Sequence, residues 1–197
     1  MNEQEFLARM AEIARDGAAR AGRGLTGLIG EEVVIRIPEV RLGAQRDICN
    51  AVGGDDTVVL GAYLNVEGDV TAHVMLLFPT SKALACVDMM CGQPLGTASE
   101  SDELVLSAIG ELGNVVGSAF VNALADAANL SLHPSPPTVV HDLAMALVDT
   151  VYAELLVQDG PVLLLDTVFE DARGETTGLL IVAPDPATVA HLQELAA

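Results

Sequence analysis

The stretch Leu104–Phe120, LVLSAIGELGNVVGSAF, is apolar apart from glycines and a few polar residues that recur at helical intervals. Ser107, Glu111 and Asn114 follow one another at spacings of four and three residues. Such spacings place side chains on one face of a helix. The sequence therefore predicts a long, mostly buried helix that presents a hydroxyl, a carboxylate and a carboxamide together.

Three glycines, Gly110, Gly113 and Gly117, lie in the same stretch. Each costs about 1 kcal/mol relative to alanine inside a helix, so the cluster needs a structural reason. Close packing against a sheet or a sister helix is the reason we expect, with the polar edge left outside. The acidic stretch 99–103 predicts the start of the helix, with Ser99 and Asp102 at the spacing of a capping box.

The first forty residues repeat the pattern in a degenerate form. The later parts of the two halves also match, since 58–79 and 163–184 both read as strand, turn, strand and proline. The chain is thus predicted to be one domain of two pseudo-repeats, about 1–96 and about 97–197. The equivalent pairs, each 99 residues apart, are Glu12 with Glu111, Arg15 with Asn114, and Pro38 with Pro137.

Serine, glutamate and asparagine at this spacing, followed by a proline, resemble the active-site signature of the CheC/CheX/FliY phosphatases of bacterial chemotaxis. Those proteins remove phosphate from the aspartyl-phosphate of the response regulator CheY. The length and the duplicated halves resemble CheC rather than the shorter CheX. No extension resembling the flagellar switch module follows residue 197, which disfavours the FliY branch.

The resemblance implies a role for each residue of the stripe. Asn114 would orient the attacking water, and Glu111 would anchor the helix by pairing with a cationic side chain of the regulator. Ser107 fills the family's Asp-or-Ser position, and Pro137 completes the motif as a supporting residue. The regulator supplies its own Mg²⁺, so no cofactor of this chain is expected.

The first copy departs from the signature. Ala8 stands where the family has Asp or Ser, and Arg15 stands where it has Asn. Arginine has no hydrogen-bond acceptor and cannot hold a water by its hydrogens. Glu12, Arg15 and Pro38 therefore form a degenerate first site, which is either purely structural or limited to binding.

Two functions remain open at this point. The first is hydrolysis of the aspartyl-phosphate on a CheY-like response regulator. The second is a non-catalytic binding module that holds a phosphorylated regulator or a CheD-like deamidase, a partner that the CheC resemblance implies. An intact Asn114 beside Glu111 favours hydrolysis, because a pure scaffold needs no exposed amide there.

The composition argues against several other classes of function. A net charge of −19 argues against binding nucleic acid. No continuous apolar run is expected to be long enough to cross a bilayer, so no membrane insertion is predicted. Three cysteines without regular spacing predict reduced thiols in the cytoplasm, and the scattered histidines do not suggest a metal site. Seven of the nine basic residues fall in the first quarter, either as a solvated helix face or as a surface that docks an acidic partner.

The predicted class is α+β, with one antiparallel sheet and the two long motif helices packed on the same side of it. The apolar periodicity leaves 139–156 open between strand and helix, and 41–56 reads as a loop. Gly22 and Gly24 are expected to end or loosen the first helix. The other predicted elements are helices over 3–21, 81–90 and 186–195, and strands over 32–40, 58–66, 70–78, 162–169 and 177–182.

Overall fold

The structure, a computed structural model, describes residues 2–100, 102–155 and 162–184. Its helices and strands form a mixed α+β fold around one seven-stranded antiparallel sheet, as predicted. The predicted helix over 186–195 lies outside the described residues. The elements are α1 Glu3–Ile29, β1 Val34–Gly43, α2 Gln45–Val52, β2 Val58–Gly68, β3 Ala72–Pro79, α3 Thr80–Met90, α4 Glu103–Ala128, β4 Leu132–Pro134, β5 Thr138–Leu143, α5 Ala144–Leu155, β6 Val162–Asp171 and β7 Gly174–Pro184.

Two hairpins, β2–β3 and β6–β7, form the centre of the sheet and join through β3 and β7. Each hairpin receives its outer neighbour from the other half of the chain. The early strand β1 pairs with β6, while β4 and β5 of the later half pair with β2. The two halves therefore share one sheet and exchange their first strands.

The sheet separates two apolar clusters. On one face, α1, α3 and α4 pack over alternate strand residues such as Leu60, Leu76 and Leu180. On the other face, α2 and α5 pack over residues such as Met75 and Ile181. Because successive side chains of a strand point to opposite faces, each strand feeds both clusters. The two motif helices, α1 and α4, thus lie on the same side, as predicted.

Helix α1 is eight residues longer than the sequence suggested, so the expectation that Gly22 and Gly24 end it is wrong. Both glycines lie inside the helix at close approaches: a Cβ at Gly22 would be 2.9 Å from the carbonyl oxygen of Val33. The helix ends instead at Gly30, which adopts a left-handed φ of 82° and donates its N–H to the carbonyl of Thr26. These glycines serve packing, and only Gly30 serves termination.

The stretch 41–56, predicted as a loop, contains the short helix α2. It buries Ile48, Cys49 and Val52 in the second cluster, and the carboxylate of Asp47 accepts the N–H of Ala44 at 2.8 Å across its first turn. The ambiguous stretch 139–156 is both a strand and a helix, because β5 continues directly into α5. The eight residues of α2 are too few, and too mixed in polarity, to show a helical period in the sequence.

Helix α4 begins at Glu103, and the carboxylate bond of the predicted capping box forms just before it. The Asp102 carboxylate accepts the N–H of Ser99 at 2.8 Å but makes no capping bond to the helix. By length and composition alone α4 could cross a membrane, which corrects the expectation that no such segment exists. However, 56% of its most apolar window is buried within the protein, so contacts with α1 and the sheet account for its apolar character.

Candidate active site on the central helix

The glycines of α4 hold it close to the sheet, as predicted. A Cβ at Gly113 would overlap the Cβ of Ala62, and a Cβ at Gly117 would lie 3.0 Å from Leu64 Cδ1. Gly110 faces β5, where a Cβ would lie at an ordinary contact distance of 3.4 Å from Val139. The glycine edge therefore fixes how α4 is rotated, and this rotation turns the polar stripe away from the sheet.

The stripe is accessible from outside. Ser107 and Glu111 are exposed, and Asn114 is half-buried one turn further along. The side chains of Ser107 and Glu111 form no hydrogen bond or ion pair with any residue that the structure describes. The Glu111 carboxylate is thus available to a cation that approaches from outside.

The carboxamide of Asn114 has one internal contact, which the sequence did not predict. The hydroxyl of Ser118, four residues later, donates to Oδ1 of Asn114 at 3.5 Å. A carboxamide oxygen has two acceptor sites, so one remains for a water hydrogen, and the amide N–H groups have no partner within the described ranges. The i,i+4 spacing was the available signal for Ser118.

Two large apolar side chains flank the start of the stripe. Leu104 is 67% exposed and Leu106 is 53% exposed, on either side of the line that runs through Ser107. Exposed leucines beside an unpaired carboxylate suit contact with another protein better than contact with a small polar ligand. The surface around the stripe therefore combines apolar area with a charged group.

The two prolines of the predicted repeat both lie at irregularities in the sheet. Pro38 lies where the β1–β6 register shifts, between Arg36 and Glu39. Pro137 lies between β4 and β5, where the register against β2 also shifts by one residue. A proline has no N–H for a ladder bond, so it fits a bulge. The Pro137 bulge leads into β5, whose Val139 packs against α4 at Gly110.

The first copy differs from the second in its contacts as well as in its residues. The Glu12 carboxylate pairs with Arg9 at 3.2 Å on the same helix, so it is not free as Glu111 is. Arg15 is exposed and forms no ion pair with the described residues. Ala8 is exposed and offers no polar group.

The basic residues of the first quarter do not form a continuous positive patch. Four of these arginines pair with carboxylates of the chain itself: Arg9 with Glu12, Arg20 with Asp16 and Asp126, Arg36 with Glu170 and Glu175, and Arg41 with Glu39 and Asp166. Arg15, Arg23 and Arg46 have no such partner among residues 2–100, 102–155 and 162–184. Within these ranges, no group of three or more His, Cys, Asp and Glu side chains is placed to hold a metal ion.

Known proteins resemble this chain in sequence and in fold. The model of the CheC-like family matches residues 104–141, which run from α4 through the Pro137 bulge into β5. The CheY-P phosphatase CheC of Bacillus subtilis (strain 168) is 25% identical over 187 residues, covering 93% of this chain and 90% of that protein.

Two solved structures share the fold. The crystal structure of Thermotoga maritima FliY superposes with a TM-score of 0.77 at 16% identity, covering 100% of this chain and 97% of that one. A chain of the FliG–FliM complex from H. pylori superposes with a TM-score of 0.69 at 10% identity, covering 98% and 100%. The resemblance stated from the sequence is thus confirmed: residues 104–141 match the CheC-like family, and most of the chain is similar to the CheC of Bacillus subtilis.

Proposed function

We propose that this chain hydrolyses the aspartyl-phosphate of a CheY-like response regulator in the cytoplasm. The observation that carries the proposal is the accessible edge of α4, where Glu111 is unpaired among the described residues and Asn114 keeps an acceptor site for water. The relative from Bacillus subtilis is named a CheY-P phosphatase. The family model also covers the motif helix and the proline that follows it.

The chemistry asks little of this chain. An aspartyl-phosphate on a regulator is accompanied there by Mg²⁺, and the charge of the transferring phosphoryl group is spread over its oxygens, so positioning dominates the catalysis. Asn114 would accept one hydrogen of the attacking water through Oδ1 and hold the water in line with phosphorus. No nucleophile or cofactor of this chain takes part.

Glu111 would act as the anchor. Its carboxylate is exposed and unpaired among the described residues, so pairing with a cationic side chain of the regulator breaks no existing bond. The exposed leucines, Leu104 and Leu106, would add apolar contact beside it. Ser107 would border the anchor, and the Pro137 bulge would support α4 from beneath through Val139.

The main alternative is a binding module that holds a phosphorylated regulator or a CheD-like deamidase without hydrolysis. One observation supports this binding-module alternative: a chain of a FliG–FliM complex, which is a protein assembly, shares this fold at 10% identity. The accessible carboxamide of Asn114 favours hydrolysis over this alternative, because binding alone does not require a group that can orient water.

The deciding experiment measures phosphate loss from a Mg²⁺-loaded, phosphorylated CheY-like regulator of the same organism. Wild-type protein should accelerate the loss, and Asn114→Ala should lower the rate constant on the order of 10²-fold, which corresponds to about 2.7 kcal/mol. Glu111→Ala should raise KM more than it lowers kcat, because it removes an interaction that is also made in the ground state.

Ser107→Ala serves as a control on the same exposed edge and is expected to change the rate constant far less than Asn114→Ala. If every regulator of the organism decays at its intrinsic rate with wild-type protein, hydrolysis is refuted. Binding that persists in that case would identify the non-catalytic module.

A further inference from the structure

The edge of α1 that corresponds to the active stripe carries different chemistry on the same scaffold. Helices α1 and α4 pack together on one face of the sheet, and a Cβ at Gly24 would lie 3.1 Å from Val115 Cγ1 of α4. At the position equivalent to Asn114, α1 presents the exposed Arg15. A guanidinium thus takes the place of the carboxamide.

The charges around this edge leave the guanidinium unneutralised. The chain carries 28 acidic and nine basic residues, and five arginines lie within 4.0 Å of a carboxylate. Arg15 and Arg23, two turns apart on α1, are both exposed and pair with none of the described residues. In a protein of net charge −19, such a pair of arginines on one helix is complementary to an anion from outside.

Glu12 is less available than Glu111 for the anchor role. Its carboxylate already pairs with Arg9 at 3.2 Å, while its counterpart Glu111 is unpaired among the described residues. The group that α1 offers to a partner is therefore Arg15, with Arg23 beyond it. This edge attracts an anion where the α4 edge attracts a cation.

We propose that the Arg15 edge of α1 binds the phosphoryl group of a phosphorylated receiver domain and does not hydrolyse it. This inference rests on the function proposed above, since it assumes the same class of partner. A guanidinium donates two parallel N–H bonds to phosphoryl oxygens but has no acceptor with which to orient a water. One helix of the protein then hydrolyses the acyl phosphate, and its pseudo-symmetric partner retains it.

The test uses a background in which α4 no longer docks. In the variant Glu111→Ala/Asn114→Ala, binding of a Mg²⁺-loaded CheY-like regulator carrying beryllium trifluoride is measured by calorimetry. Adding Arg15→Ala should weaken this binding tenfold or more, equal to about 1.4 kcal/mol. Adding Arg46→Ala removes the same charge from α2, on the opposite face of the sheet, and should change binding less than about twofold, since this arginine lies outside the proposed contact and long-range charge effects are screened by salt.

The dependence on the phosphoryl group is checked with the same regulator lacking beryllium trifluoride, for which Arg15→Ala should have no effect. The inference is overturned if the double variant binds no regulator, or if Arg15→Ala and Arg46→Ala behave alike. If the inference is overturned in either of these ways but wild-type protein still hydrolyses the phosphate, the proposed phosphatase function stands without it. If Arg15-dependent binding occurs without hydrolysis by wild type, the inference survives and the phosphatase proposal fails. If wild type neither binds nor hydrolyses, both fail.

Discussion

Replacing Gly113 by alanine should destabilise the protein although alanine is the better helix former. The new Cβ would overlap the Cβ of Ala62 on β2. Two carbon atoms in contact prefer about 3.5–4.0 Å, and neither of these Cβ atoms can rotate away because each is fixed to the backbone. The helix would have to lift from the sheet by more than about 1 Å.

The magnitude follows from two opposing effects. The substitution gains about 1 kcal/mol from helix propensity, while overpacking a core costs about 1–3 kcal/mol. Because the overlap is between atoms fixed to two backbones, the cost should fall at the upper end. We expect a net loss of about 1–2 kcal/mol in the free energy of unfolding, measured by urea denaturation. The lifted helix should also hydrolyse the regulator's phosphate more slowly.

Gly110→Ala is the matched control on the same helix. Its Cβ would meet Val139 Cγ2 at 3.4 Å, an ordinary contact, so the gain in propensity of up to about 1 kcal/mol should prevail. Gly113→Ala should therefore lower the free energy of unfolding and Gly110→Ala should raise it, with a difference of about 2 kcal/mol between the two variants. If Gly113→Ala is as stable as Gly110→Ala, the close approach of α4 to β2 is refuted.

Two further predictions concern the buried Asp88 of α3 and the reactivity of the three cysteines. The buried carboxylate of Asp88 accepts hydrogen bonds from the three backbone N–H groups of residues 96–98 at 2.6–3.2 Å. Asp88→Ala should lower the free energy of unfolding by about 1–3 kcal/mol, because these donors lose their partner. An unchanged midpoint of urea denaturation would contradict this prediction. Burial raises the pKa of the Cys86 thiol, and burial followed by the nearby Asp55 raises the pKa of Cys49, so both thiols stay protonated and unreactive at pH 8. Of the three cysteines, the exposed Cys91 alone should therefore react with a thiol reagent in the native protein. Rapid labelling that persists in Cys91→Ser would contradict this prediction.

The glycines illustrate how far the sequence could predict the fold. The cluster at 110–117 correctly indicated close packing, because glycine weakens a helix and is favoured inside an apolar one mainly where a neighbouring backbone comes close. The same residue type at Gly22 was wrongly expected to end a helix. A glycine that ends a helix and one that packs against backbone are distinguished by what lies opposite, here the Val33 carbonyl, and that contact is absent from any local pattern.

The site was more predictable than the topology around it. Helical spacing alone placed Ser107, Glu111 and Asn114 on one edge, and the structure leaves that edge accessible. The ion pair between Arg9 and Glu12 could also be predicted from the sequence, because the two residues are three positions apart on a helix. Local spacing could not reveal that Arg20, Arg36 and Arg41 pair with carboxylates more than 100 residues away.

The exchange of first strands has a consequence for how the chain can be divided. Cutting the connection between α3 and α4 and separating the two predicted repeats would remove β1 from β6, β5 from β2 and β3 from β7. Each fragment would then expose an unpaired strand edge beside its own hairpin. Two copies of one fragment could satisfy those edges by the same exchange, so an isolated half should either self-associate as a swapped dimer or fail to fold.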